Sequence, residues 1–293
     1  MKNSTISIII TILGALYTLT FANEVENGIE SESGTSFKRN PVNYTIILDL
    51  SDRVLNENQL AYDIAQIELI FNKFKKKARQ NLIITFKDRF VLKIIPQKGS
   101  TLDLDYYENI LQLRLDQISI SNKNKRLEKL ESKLKPTLKQ LQKDAILGDK
   151  SNDFEGVDLW SFLNDNKNNL ASSGYDNTII IMTDGYLDFE NNNHVIEQDN
   201  QYTGTKFLKN LNSNDWKLEA KNKDIGILPI PINFDATWII TGIKSKNEND
   251  LYQISKIKHF WDKWINESAN THPNFINYST ESQILSELNS ILN

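Results

Sequence analysis

Ile46-Ile47-Leu48-Asp49-Leu50-Ser51-Asp52-Arg53 and Ile179-Ile180-Ile181-Met182-Thr183-Asp184-Gly185 are the two stretches that decide the fold. Each is a short aliphatic run that stops abruptly at oxygen-bearing side chains. Continuous apolar runs of this length suit strands buried on both faces, as in parallel sheets. Ligands of an open parallel sheet gather outside the carboxyl ends of its strands, so two such strands side by side bring Asp49, Ser51 and Asp184 together. Hard oxygen donors converging on one point are the chemistry of a divalent cation.

Outward from these runs the chain alternates between strand and helix patterns. Tyr44 to Leu50 reads as a strand, and Leu60, Ile64, Ile67, Phe71 and Phe74 follow at helical spacing, with Lys75, Lys76 and Lys77 at the end of that helix. Asn81 to Phe86 and Phe90 to Ile95 are two further strand patterns across Lys87-Asp88-Arg89, close enough for a hairpin with one antiparallel strand at the sheet edge. Thr178 to Met182, Ile225 to Ile230, Trp238 to Ile243 and Phe275 to Tyr278 are later strands; Glu248 to Glu267 and Glu281 to Leu292 are later helices. The alternation implies an α/β sandwich with a mostly parallel central sheet flanked by helices.

One region, about residues 104–149, breaks the rhythm and reads as an inserted helical hairpin. Leu127, Leu130, Leu134, Leu138 and Leu141 form its stripe, lysines surround it, and Pro136 is expected to kink its second helix. Its lysines are read either as a solvated face or as an arm for a partner. The polar stretch Asp188 to Lys206, on the rim beyond the second key strand, is read either as a recognition loop or as disorder.

Composition narrows the function. The 293 residues carry a net charge of -4, which supplies no basic field for nucleic acid. Cysteine is absent, which removes disulfides, thiolate metal sites and Cys nucleophiles. Residues 1–22 read as a signal peptide, with Lys2 before the apolar run Ile6 to Leu19 and Thr20-Phe21-Ala22 at the cleavage point. Residues 23–40 read as a linker and 41–293 as the folded domain. A periplasmic or secreted protein follows. The rival is a membrane anchor, since Ile6 to Ala22 is about 17 residues, the lower end of a bilayer span.

A strand ending in Asp49-x-Ser51, a later strand ending in Thr183-Asp184-Gly185 and the closing Phe260-Trp261-Asp262-Lys263-Trp264 helix resemble a von Willebrand factor A domain. The resemblance covers Val42 to Asn293. It implies a Rossmann-like three-layer sandwich and a metal-ion-dependent adhesion site, with Asp49, Ser51 and Asp184 as ligands of Mg2+ (or Mn2+ or Ca2+). Two positions depart from the family pattern. Arg53 stands where a second Ser belongs, and its guanidinium cannot ligate a cation. Val157 aligns with a middle-loop Thr, leaving Asp158 and Asp52 as substitute donors, directly or through water. Arg53 paired with Asp52 or Asp158 makes a salt-bridge cluster with no metal instead. Gly185 is read as permitting a tight turn, and Thr183 as either orienting Asp184 or simply favouring the strand. Asp49 and Asp184 each have a plain alternative as helix-capping or turn residues at strand ends.

Enzyme motifs are missing: no Gly-x-Ser-x-Gly elbow, no Gly-x-x-x-x-Gly-Lys loop, no His-Glu-x-x-His pair, and Ser51 where a phosphatase needs a second Asp. The expected function is a non-enzymatic protein-binding module that engages an acidic side chain of a protein partner through the cation. The alternative is a metal-free structural scaffold of an envelope or secretion assembly, acting through the helical insertion.

Overall fold

The computed structural model describes residues 40–80, 87–148, 150, 153–190, 193–247 and 249–293. The expected signal peptide, the linker up to residue 39 and the expected strand Asn81–Phe86 lie outside the described residues.

The chain forms β1 (Val42–Asp49), α1 (Glu57–Gln80), β2 (Arg89–Ile95), α2 (Leu104–Ile110), β3 (Leu113–Arg114) and α3 (Ile120–Asp144). It continues with α4 (Leu159–Asn166), β4 (Asp176–Met182), β5 (Glu197–Gln198), β6 (Gln201–Tyr202), α5 (Trp216–Asn222) and β7 (Gly226–Ile227). It closes with β8 (Thr237–Ile243), α6 (Gln253–Ala269), β9 (Asn274–Asn277) and α7 (Glu281–Ile291).

The central sheet has the order β3-β2-β1-β4-β8-β9. All neighbours run parallel except β3, which pairs antiparallel with β2 at the edge. Strand residues alternate between two cores because successive side chains point to opposite faces. Tyr44, Ile46 and Leu48 pack with α1, α3 and α7 on one face. Ile47, Ile179, Ile181, Trp238 and Ile240 pack with α4, α5 and α6 on the other. The result is a three-layer α/β sandwich of the Rossmann-like kind. The apolar spine read for α1 is its buried face: Leu60, Ile64, Ile67, Phe71 and Phe74 all lie in the core.

Two expected elements differ. Of Ile225 to Ile230 only Gly226 and Ile227 form a strand, and it joins β5 and β6 in a small separate sheet. Pro229 and Pro231 are the reason, since neither has an N–H to donate to a ladder. The N–H groups that follow each proline turn to the end of α6 instead: Ile230 donates to Ser268 Oγ and Ile232 to Ser268 O, each at 3.0 Å. Residues 104–149 are not a helical hairpin. They hold the short α2, the edge strand β3 and one helix of 25 residues, α3, with Pro136 inside it.

The leucine stripe of α3 lies in the same core as α1. Lys135 Nζ to Glu68 (3.0 Å) and Gln142 Nε2 to the Leu60 carbonyl (2.8 Å) tie the two helices at their margins. The stretch after β4 is also built, with β5 and β6 pairing antiparallel across Asp199 and Asn200, both at positive φ. Such left-handed residues suit a two-residue hairpin turn, and Asp and Asn tolerate them.

Helix α3 thus belongs to the core layer. Leu134→Ala is expected to destabilise the protein by about 2–5 kcal/mol and Lys133→Ala by less than about 0.5 kcal/mol, read from urea unfolding midpoints.

Candidate functional site

Leu48 pairs with Met182 in the parallel register of β1 and β4, so Asp49 comes level with Thr183 as both strands end. Asp49, Ser51, Thr183 and Asp184 are all buried there. Thr183 Oγ1 donates to Asp49 Oδ2 (2.8 Å), while Asp49 Oδ1 accepts the Ser51 N–H (2.8 Å). Thr183 therefore orients Asp49 and not Asp184. Asp184 Oδ1 accepts the Tyr186 N–H at 3.0 Å. Gly185 sits at φ 95°, where a Cβ would lie 2.6 Å from Ile257, and its carbonyl accepts the Trp261 indole N–H (2.8 Å). The tight turn read for Gly185 is present, and a core tryptophan pins it.

Two cations occupy this end of the sheet. Arg53, 6 % exposed, points inward: Nη1 donates to the carbonyls of Met182 (2.5 Å) and Asp49 (3.3 Å), and Nη2 pairs with Asp63 Oδ1 on α1 at 3.1 Å. Its guanidinium clamps the last carbonyls of β1 and β4. Gly242 on β8 makes room for it, since a Cβ there would lie 3.0 Å from Nη2. Gln59, one helical turn before Asp63, also reaches Asp63 Oδ1 (3.4 Å), and Gln66 accepts from Thr241 Oγ1 (2.7 Å). These three α1 side chains form a polar stripe at the strand ends. The second cation is Lys246, on the loop after β8. Its ammonium lies 2.9 Å from Asp184 Oδ2 and 3.7 Å from Asp52 Oδ1.

The remaining expected donor goes elsewhere. Asp158 caps the N-terminus of α4 by accepting the Ser161 N–H (2.9 Å), and no described hydrogen bond or ion pair joins it to Asp49, Ser51 or Asp184. Val157 is buried in the core beside it. Arg53 pairs with Asp63 and not with Asp52 or Asp158.

Electrostatics follow from this crowding. Burial raises the Asp49 pKa above the usual carboxylate value, more than Arg53 lowers it, and Asp184 adds to the rise. Burial also raises Asp63 despite Arg53. For Lys246, burial opposes the charged form, but Asp184 and then Asp52 outweigh it and hold the pKa above the ordinary lysine value. Asp188, at the rim, is raised by burial.

This donor set does not suit a divalent cation. The oxygens that would face an ion are already engaged: the free oxygen of Asp184 holds the Lys246 ammonium, and both Asp49 oxygens accept protein donors. A metal ion would also stand beside two fixed positive charges. Among the described residues no group of three or more His, Asp or Glu side chains is placed to hold a metal ion.

The sequence reading missed Lys246 and Asp63. Lys246 follows β8 as Asp184 follows β4, so the convergence of parallel strand ends was the available signal. Nothing in the pattern around Asp63 marked it, because its role depends on where Arg53 turns.

Fold and site together define an α/β sandwich protein with a charged cluster at the carboxyl end of its central sheet. No family model matches the chain, and no curated protein matches it. Among solved structures it is similar to the pilus adhesin SpaC from Lactobacillus rhamnosus GG, in an open conformation and in a second form. Identity is 10 % to each, with TM-scores of 0.43 and 0.42; 87 % of this chain is covered, and it spans about 30 % of the length of those chains. Likeness at that level does not extend to function.

The Arg53 and Asp63 pair is buried, so breaking it leaves an uncompensated charge. Asp63→Ala is expected to cost about 3–5 kcal/mol in urea unfolding. Asp63 also binds its proton more tightly folded than unfolded, so stability falls as pH rises from about 4 through its raised folded pKa. In Asp63→Asn that component is gone, and the unfolding midpoint declines less steeply with pH than in the wild type.

Proposed function

We propose that the chain is a von Willebrand factor A-like, non-enzymatic protein-binding module that meets a protein partner with the carboxyl rim of its sheet. The observation that carries this is the convergence of Asp49, Ser51, Thr183 and Asp184 at the ends of two adjacent central strands. In this fold class that end of the sheet is where ligands bind. The loop carrying Lys244 to Asn247 is tied to it by the Lys244 N–H to the Asp184 carbonyl and by the Lys246 ion pair. The non-enzymatic reading rests on the missing catalytic motifs and on a cluster whose groups are spent on one another.

Export belongs to the same proposal and rests on the N-terminal sequence alone: Met1 to Ala22 is the signal, and the protein acts in the periplasm or outside the cell. No helix among the described residues is long and apolar enough to cross a membrane.

A second reading has its own observation. The solvent side of α3 carries exposed Lys125, Arg126, Lys129, Lys133, Lys139 and Lys143, a long basic face that a scaffold could use. One experiment separates the two. Photo-crosslinking side chains are placed at Glu57 and Asn247 on the rim, at Lys133 on α3, and at Thr237 at the opposite end of the sheet, all exposed. Discrete adducts in the native host from the rim positions alone are the expected outcome. Adducts from Lys133 alone would favour the scaffold.

A further inference from the structure

Lys246 is held by more than one carboxylate. Its backbone N–H donates to Tyr186 Oη (3.0 Å), and its ammonium lies 4.8 Å from the centre of the Tyr186 ring. Two residues earlier, the Lys244 N–H donates to the Asp184 carbonyl (3.1 Å). The loop after β8 is therefore laced to the loop after β4 by main chain, ring and ion pair together. Through Asp52 the same ammonium also faces the loop after β1. Three loops that rise from three neighbouring strands meet at one nitrogen.

That is the task a divalent ion performs at a strand-end site: it draws carboxylates from separate loops onto one centre and offsets their repulsion. An ammonium carries three donors and one unit of charge, fewer bonds and less charge than a metal ion. Arg53 supplies the remaining positive charge from below, clamping the carbonyls of Asp49 and Met182. Together the two side chains occupy both tasks, charge compensation and loop gathering, that the family pattern gives to the ion.

We propose that the Lys246 ammonium is the built-in cation of this site and stands in for a divalent ion. The rim then keeps one shape whether metal is present or not, and engagement of a partner is indifferent to chelators. The last clause rests on the rim being the binding face. The role of the ammonium does not, and it is tested without any partner, so the two readings can fail separately.

The test is thermal unfolding of the full chain in EDTA and in millimolar Mn2+ or Mg2+, for the wild type, Lys246→Met and Asp184→Ala. The expected wild-type midpoint is the same in all three buffers. Lys246→Met, which keeps length and removes charge, unfolds at lower temperature in EDTA and regains part of the loss in Mn2+, because Asp184 is released to ligate it. Three results would overturn the proposal. One is a wild-type midpoint that rises with metal and ceases to do so in Asp184→Ala. Another is a Lys246→Met protein as stable as the wild type in EDTA. The third is a destabilised Lys246→Met that metal does not rescue, which would make Lys246 an ordinary ion-pair partner. If Lys246→Met fails to fold without metal, it is refolded with and without Mn2+: recovery in Mn2+ alone supports the proposal, and failure in both buffers overturns it.

Discussion

The parallel pairing of β1 with β4, Leu48 opposite Met182, is the constraint on which the rest of the molecule depends. It brings two apolar strands side by side in the middle of the sheet, where helices on both faces bury them. It also brings both strands to an end at the same height. Every polar group that follows must then find its partner within one small volume. Thr183 reaches Asp49, Arg53 reaches the carbonyls of both strands, and the turn at Gly185 sends Asp184 towards β8. A slip of one residue between these strands would turn their side chains to the opposite faces and scatter the cluster.

Within that volume the balance of charge decides the chemistry. Asp49, Asp63 and Asp184 are all buried, and burial holds the pKa of Asp49 and of Asp63 above the usual carboxylate value. Two cations answer this, the buried Arg53 from the turn after β1 and the more exposed Lys246 from the loop after β8. The answer is incomplete: Arg53 Nε and Asp63 Oδ2 are buried with no hydrogen-bond partner among the described residues. Buried polar atoms of that kind are destabilising, and they make the pairing of Arg53 with Asp63 sensitive to any change in either partner.

Some of this was legible in the chain because short-range patterns carried it. The stripe from Leu60 to Phe74 has a helical period, and only a buried helix face uses it. Val42 to Asp49 and Asp176 to Met182 are too apolar for an exposed strand. The leucines of α3 were equally plain, yet their meaning was not: the same stripe suits a free hairpin or a layer of the main core. Contact with α1, far away in sequence, settled it. The strand expected at Ile225 to Ile230 failed for a local reason, two prolines without donors, and that reason was present in the sequence.

The sequence by itself determined the fold class, the two central strands and the acidic and hydroxyl groups at their ends, because periodicity and the punctuation of apolar runs are local properties. Only the tertiary structure decided what those groups do. Arg53 lies four residues from Asp49 but finds its carboxylate in Asp63 on a helix, and Asp184 finds its cation in Lys246, more than sixty positions away by the numbering. Charge pairing acts across space with no period in the chain, so the choice between a metal ion and an ammonium at this site is made where three strands end and nowhere earlier.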